Sequence, residues 1–262
     1  MNPASTVGAR LVGPVIAAAA AVLILAMSIL PFLTPAWVAF EQDRAQAGAW
    51  TGFSEPDLRA VTNSILGDLV LGRGDFGVQL DGAPVLRPDE RAHMRDVRGV
   101  FGGLAVLAAA ALLLLVAAFR LSRSPSRRAK VWLAIRRGAA TLASVVVILG
   151  VVALVAFDAA FELFHRLFFA PGTYDFDPRT SRLVQLFPES FWSETAIAAG
   201  LLIIVLALAA AWVAGHRASL SAHAMQGELP EAARPAVDTA RDGPLAPRAG
   251  GAEPSVPNGA QR

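Results

Sequence analysis

Apolar residues are concentrated in four long blocks along the chain, separated by stretches that are polar or mixed. Each block reaches the roughly 20 apolar residues that a helix needs to cross the hydrocarbon core of a bilayer, and is longer than the apolar stretch of a usual buried core helix. The pattern therefore predicts an all-α membrane protein with four transmembrane helices, at about residues 11–33, 100–119, 139–157 and 195–214.

The first block has an alternative interpretation as a cleaved signal peptide, because it lies near the N-terminus and follows Arg10. Its apolar stretch is longer than a usual signal-peptide core, and the bulky residues from Leu30 to Leu33 make a poor cleavage site. We therefore predict a retained helix. Pro31 and Pro35 indicate that this helix kinks or leaves the membrane at its end.

The orientation follows from the short segment between the second and third blocks, residues 120–138, which contains no acidic residue. Its basic residues are Arg120, Arg123, Arg127, Arg128, Lys130, Arg136 and Arg137. Because basic residues collect on the cytoplasmic side of membrane proteins, we predict that this segment and both termini are cytoplasmic. The loops at 34–98 and 158–194 are then outside, and each contains more Asp and Glu than Arg.

The two outer loops are predicted to fold into an extracytoplasmic cap, because the first is too long for a bare connection. Apolar residues spaced three and four apart predict a helix over 56–70, and Asp81-Gly82 predicts the turn of a hairpin over 76–86. Asp89 is the predicted cap of the helix that enters the second span. A further short helix is predicted at 183–187.

Composition narrows the classes of function. The chain has 262 residues, of which 55% are hydrophobic, a net charge of +2 and no cysteine. Without cysteine, disulfides, thiolate nucleophiles and zinc–thiolate sites are excluded, and the clustered basic residues do not form a nucleic-acid footprint. We divide the chain into a transmembrane domain, 1–218, and a cytoplasmic tail, 219–262, whose Pro, Gly and Ala content predicts disorder.

Two of the four histidines are candidates for chemistry. His216 and His223 follow the last span and are interpreted as solvated or interfacial side chains. His93 precedes the second span and His165 follows the third, so both are predicted at the outer membrane boundary, where ionisable groups are costly unless they are paired or functional.

Carboxylates lie at helical spacing from both histidines. They are Asp89, Glu90 and Asp96 around His93, and Asp158 and Glu162 around His165. A carboxylate on one ring nitrogen would fix the tautomer and leave the other nitrogen as a general base. The same pattern also fits a solvated surface helix, or a mixed metal site, although no H-x-x-x-H or H-E-x-x-H spacing is present.

The segment after the third span combines aromatic and polar stripes, and is predicted to continue that span as an amphipathic helix. One stripe is Phe157, Phe161, Phe164 and Phe168, and the adjacent stripe is Asp158, Glu162 and His165. An aromatic stripe of this kind is typical of the membrane interface. We expect the polar stripe to face a cavity lined by protein.

At these residues the chain resembles the bacterial membrane family that includes lipoprotein intramolecular transacylase, over roughly residues 8–215. Members of that family have four spans and share three motifs with this chain. The matching motifs are Glu90 with His93 to Val97, Phe157-Asp158 through Phe169, and Asp177-Pro178 with Leu183 and Phe187 to Phe191.

The resemblance implies an acyl transfer within one substrate, in which the sn-2 acyl chain of a diacylglyceryl lipoprotein moves to its own N-terminal cysteine amine. It implies catalytic roles for His93 and His165, with Glu90, Asp96 and Asp158 as acidic partners. The implied partners are membrane lipid and the lipoprotein substrate. Arg95 or Arg166 are further candidates, either for stabilising an oxyanion or for binding lipid headgroups.

The chain departs from the family pattern at Tyr174, where a tryptophan is expected, and at Ser181, where an aspartate is expected. No nucleotide- or serine-nucleophile motif is present, so we predict no cofactor. The alternative function is a non-catalytic envelope protein that binds a lipid or a protein partner. A transporter ranks below both, because the second and fourth spans carry no intramembrane charge.

Overall fold

Long helices and a small folded cap make up the computed structural model of the protein, which describes the backbone of residues 3–227 and the side chains of 11–221. The helices and strands are α1 Pro3–Ile29, a 3₁₀ turn Leu30–Leu33, α2 Pro35–Arg44, α3 Ala47–Thr51, α4 Glu55–Leu71, β1 Gln79–Leu80, β2 Ala83–Pro84, α5 Pro88–Leu121, α6 Pro125–Val155, α7 Phe157–Phe168, α8 Arg182–Leu186 and α9 Glu189–Gly227.

Four helices are long and apolar enough to cross a membrane, namely Leu11–Leu33 and the helices that begin at Pro88, Pro125 and Glu189. Large apolar side chains on these helices, such as Val106, Leu113 and Trp212, are 70–73% exposed. This exposure is expected for helix faces that contact lipid. The prediction of an all-α membrane protein with four spans is therefore confirmed.

The basic segment was predicted as a loop, and this prediction is wrong for most of its length. Only Ser122 to Ser124 separate α5 from α6, and the remaining basic residues lie on the two helices. Ser124 accepts a hydrogen bond from the Arg127 amide and Pro125 occupies the first helical position, so α6 begins there. Long basic side chains allow a helix to continue beyond the apolar run.

Two other helix ends differ from the sequence-based boundaries. Arg87 rather than Asp89 precedes the first turn of α5, because Pro88 takes the first helical position and the Arg87 amide donates to Glu90. The last helix continues to Gly227, so residues 219–227 of the predicted tail are helical. Residues 228–262, the rest of that tail, lie outside the described residues.

The membrane helices pack around α1, which contacts α5, α6 and α9, while α6 runs along α9. The closest approach of α1 and α6 is at Gly138, where an added Cβ atom would overlap the carbonyl oxygen of Ala17. Small residues at such crossings let two backbones approach without lipid between them.

Replacing Gly138 by alanine is therefore expected to destabilise the bundle by about 1–3 kcal/mol, since the helices must separate to admit the methyl group. Gly102→Ala on α5 is the matched control, because a Cβ there meets nothing within 4 Å. Thermal unfolding in detergent measures both. Equal melting temperatures for the two variants would contradict the predicted close approach.

The two long loops, 34–98 and 158–194, form one cap with its own hydrophobic core, built mainly from α4, the hairpin, the start of α5 and α8. Gln42 joins the two loops, because its amide donates to the carbonyl of Leu186 (3.0 Å) and accepts from the Thr62 hydroxyl (3.1 Å). The helix predicted at 56–70 and the short helix predicted at 183–187 are confirmed as α4 and α8.

The predicted hairpin is also present. Gln79 pairs with Pro84 and Leu80 with Ala83. Asp81 and Gly82 both have positive φ angles (51° and 78°), as a tight two-residue hairpin turn requires. Hydrogen bonds from Arg91 to Asp75 and from the Leu183 amide to Glu90 join the start of α5, which carries His93, to the segment before the hairpin and to α8.

Candidate functional site

The two candidate histidines come together at the end of the bundle that carries the cap. The imidazole of His93, on α5, and that of His165, on α7, are stacked with ring centroids 6.0 Å apart and planes 20° apart. The helix predicted to continue the third span is interrupted at Ala156, whose backbone (φ −145°, ψ 61°) is not helical. This break separates α7 from α6 as an element of its own.

His93 is buried, with 7% of its surface exposed. The rings of Phe169 and Phe176 meet it edge to face, at centroid distances of 4.8 and 5.6 Å. Its Nδ1 atom makes no hydrogen bond to any of the described residues. Buried polar atoms are usually hydrogen-bonded, so this ring nitrogen without a partner marks His93 as a functional candidate.

His165 is partly exposed and has a defined tautomer. Its Nδ1 atom lies 2.8 Å from the carbonyl oxygen of Phe161, one turn earlier on α7. A carbonyl only accepts hydrogen bonds, so in the neutral ring Nδ1 carries the proton and Nε2 is the basic nitrogen. This contact orients the imidazole without a carboxylate.

A cavity of about 380 Å³ opens beside His165. Its lining combines aromatic and acidic side chains: Phe161, Glu162, His165, Tyr174, Asp175, Phe176 and Asp177. The exposed apolar side chains Leu163, Leu167 and Phe168 lie on the same helix as His165. The site therefore combines an exposed apolar surface with a cavity whose lining includes polar side chains.

The expected pairing of carboxylates with imidazoles is not found among the described residues. Asp96 and Asp158 are exposed and make no side-chain hydrogen bond there, and Glu162 accepts from Arg166 Nε at 2.7 Å. The reason lies in helix geometry, since Arg166 is four residues after Glu162 and takes the carboxylate, while the backbone carbonyl of Phe161 is nearer to His165.

Glu90 is fully buried and connects two parts of the cap. Its carboxylate accepts from the Ser181 hydroxyl (2.5 Å), the Leu183 amide (3.2 Å) and the Arg87 amide (2.7 Å). The Ser181 hydroxyl also accepts a hydrogen bond from the Val184 amide at the start of α8. Glu90 thus holds α8 against the turn of α5 that precedes His93.

The candidate arginines have carboxylate partners. Arg95 is bonded to Asp75 at 3.0 Å and Arg166 to Glu162 at 2.7 Å. The Arg95 guanidinium lowers the pKa of the Asp75 carboxyl. Neither arginine lines the cavity beside His165.

Tyr174 is a site residue that the sequence marked only as a departure from the family pattern. Its ring lies 5.0 Å from that of His165, and its hydroxyl is 3.4 Å from Glu162 Oε1. A metal site gains no support, because no group of three or more potential ligands occurs among the described side chains, those of residues 11–221.

Comparisons with known proteins bear on this site. No curated protein matches the chain. The fold resembles in meso structures of the membrane-integral lipoprotein intramolecular transacylase Lit from Bacillus cereus, with a TM-score of 0.66, 18% identity, and coverage of 82% of this chain and 97% of that one. Two structures of the same protein with a histidine replaced by arginine or alanine match with TM-scores of 0.64 and 0.63 at 17% identity.

The family description "Lipoprotein intramolecular transacylase Lit" matches residues 15–192, a range that contains both histidines, the cap and the first three membrane helices. The predicted resemblance is therefore confirmed, and the chain belongs to the Lit family of membrane acyltransferases.

Proposed function

We propose that this membrane acyltransferase moves the sn-2 acyl chain of a diacylglyceryl lipoprotein onto the amine of the same lipoprotein's N-terminal cysteine. His93 and His165 carry the protons. The observation that carries the proposal is the 6.0 Å separation of the two rings at the outer end of the bundle, beside an open cavity. Such a pair can flank one ester and one amine.

The reaction balances without another reactant. The amine nitrogen attacks the sn-2 ester carbonyl, so a C–N bond forms and the C–O bond to the glycerol breaks. The proton lost by the nitrogen replaces the acyl group on the glycerol oxygen. Each well-placed proton transfer contributes about 10²–10⁴-fold to the rate, and the substrate already holds amine and ester together.

The structure of each imidazole favours a particular role. Nε2 of His165 is the acceptor nitrogen, because Nδ1 donates to Phe161, so His165 is the base that takes the amine proton. The proton that His165 has taken must reach the leaving oxygen, and His93, stacked on it, is the imidazole that relays it there, so both rings are neutral again after the transfer. No protein nucleophile is needed, which suits a chain without cysteine.

The acidic residues act on this pair from a distance. Asp96 is three residues after His93 on α5, and Asp158 is in the first turn of α7, two turns before His165. Their negative charges favour an imidazolium formed during the reaction. Glu90 has a structural role, because its carboxylate accepts hydrogen bonds from Ser181 and Leu183 in the cap.

The proposed location is the outer face of the bacterial cell membrane, with both termini in the cytoplasm. Its support is the charge asymmetry, because the basic residues lie at the junction of α5 and α6, at the opposite end of α5 from His93. The site would then meet lipoproteins in the outer leaflet.

Expression of the protein with a reporter diacylglyceryl lipoprotein tests the proposal. We expect mass spectrometry of the N-terminal peptide to show an N-acyl, lyso-glyceryl product of unchanged total mass, which fragmentation separates from the starting isomer. Membranes without the protein are the control. Unchanged diacyl lipoprotein, with confirmed expression, would overturn the proposal in favour of a non-catalytic envelope protein.

A further inference from the structure

We propose that Tyr174 is a positioning residue for His165. The inference rests on the proposed function. It is carried by the contact between the two rings, the hydrogen bond of the phenol and the place of Tyr174 in the wall of the cavity.

The imidazole of His165 is enclosed by rings on several sides. Phe161 lies 4.2 Å from it, Tyr174 5.0 Å and Phe169 5.5 Å, measured between centroids. Phe161 is on the same helix as His165, whereas Tyr174 comes from the loop that follows α7. Tyr174 therefore ties the orientation of the imidazole to the rest of the cap.

The phenol hydroxyl anchors this ring to α7. It donates to Glu162 Oε1 over 3.4 Å, and the same oxygen accepts from Arg166 Nε at 2.7 Å. Burial and the charge of Glu162 raise the pKa of Tyr174, so its hydroxyl keeps the proton and remains a donor. These two hydrogen bonds, from Arg166 and Tyr174 to Glu162, thus connect the wall of the cavity to α7, the helix that carries His165.

A tryptophan at this position could perform the same task, because it offers a flat ring and one N–H donor. Phenylalanine keeps the ring without the donor, and leucine removes both. These three substitutions therefore separate the packing of the ring from the hydrogen bond of the hydroxyl.

The experiment measures single-turnover acyl transfer on a synthetic diacylglyceryl lipopeptide with the purified full chain in excess. We expect Tyr174→Leu to lower the saturating rate constant by about 10- to 100-fold with little change in the half-saturating enzyme concentration, because a misplaced base slows the chemical step. For Tyr174→Phe we expect the saturating rate constant to fall several-fold. For Tyr174→Trp we expect it to stay within about threefold of the parent value. Phe40→Leu is the matched control, since that ring packs on Trp37 and does not line the cavity beside His165.

A second readout does not need turnover. The rate at which diethyl pyrocarbonate modifies His165 reports the freedom of its Nε2 atom, and peptide mass spectrometry separates it from the buried His93 and the exposed His216. We expect Tyr174→Leu to accelerate modification of His165 alone. This readout distinguishes the inference from the proposed function, because it applies even if the parent protein acylates no lipopeptide.

Two results would overturn the inference. One is a Tyr174→Leu variant whose rate and whose His165 modification both stay within twofold of the parent. The other is simultaneous exposure of His93 in that variant, which would show that Tyr174 supports the cap in general rather than His165.

Discussion

Replacing His165 by asparagine is expected to slow acyl transfer by about 10²–10⁴-fold while leaving the protein folded. An asparagine amide can donate to the Phe161 carbonyl as Nδ1 of the imidazole does, but it has no basic nitrogen at the place of Nε2. The substitution therefore removes the base and keeps the local structure. The rate is measured by mass spectrometry of the lipopeptide product, and folding by thermal unfolding in detergent.

The same loss is expected for His93→Ala. His93 is buried among Phe169 and Phe176, so a cavity and some loss of stability accompany its truncation. His93→Gln, which keeps a polar group and most of the volume, separates the loss of chemistry from the loss of packing. His216→Ala is the matched control, because that exposed histidine stacks on Trp212 at the far end of α9.

The two histidines are also expected to be non-additive, because one reaction uses both. A double variant should be about as slow as the slower single variant, as is usual for catalytic groups that act together. Near-parental turnover by His165→Asn and by His93→Gln would remove histidine acid–base chemistry from the proposal. The cavity would then serve to bind and orient a substrate whose amine attacks without assistance.

Hydrophobic patterning predicted the membrane helices because lipid imposes a strong and simple requirement. It failed at their ends, as the segment 120–138 demonstrates, because arginines can lie on a helix beyond the apolar run while their side chains reach water. Ser124 and Pro125 carried the correct signal for the start of α6, as an N-cap followed by proline.

The site was predictable where its members are near in sequence to a membrane helix. His93 and His165 stood out because ionisable groups at a membrane boundary are costly. Their partners were not predictable from spacing, since Tyr174 is twelve residues from Glu162 and Ser181 is ninety-one from Glu90. Helical spacing also suggested carboxylates for the imidazoles, whereas the nearest acceptor for His165 is a backbone carbonyl.

Glu90→Ala is expected to destabilise the protein by about 3 kcal/mol or more, the largest stability effect of a single polar substitution that we predict. The carboxylate has no exposed surface and accepts hydrogen bonds from Ser181, Leu183 and Arg87. Its removal leaves a buried hydroxyl and a buried amide without an acceptor, and each such group costs about 1–3 kcal/mol.

Neighbouring substitutions make this prediction specific. Asp89→Ala is the control, since the Asp89 side chain is exposed and pairs only with the Arg87 guanidinium at 2.9 Å, so its loss should change stability little. Ser181→Ala removes one of the three donors and is expected to cost about 1 kcal/mol. The measurement is thermal unfolding of the purified variants in detergent, with diethyl pyrocarbonate modification of His93 as the local probe.

Because Glu90 holds α8 against the first turns of α5, its loss should expose His93 before the membrane helices unfold. We therefore expect Glu90→Ala to accelerate modification of His93 at temperatures where circular dichroism still reports full helix content. If Glu90→Ala and Asp89→Ala melt together and protect His93 equally, the three hydrogen bonds of Glu90 do not stabilise the cap. Its position in the shared motif would then require a direct part in the chemistry instead.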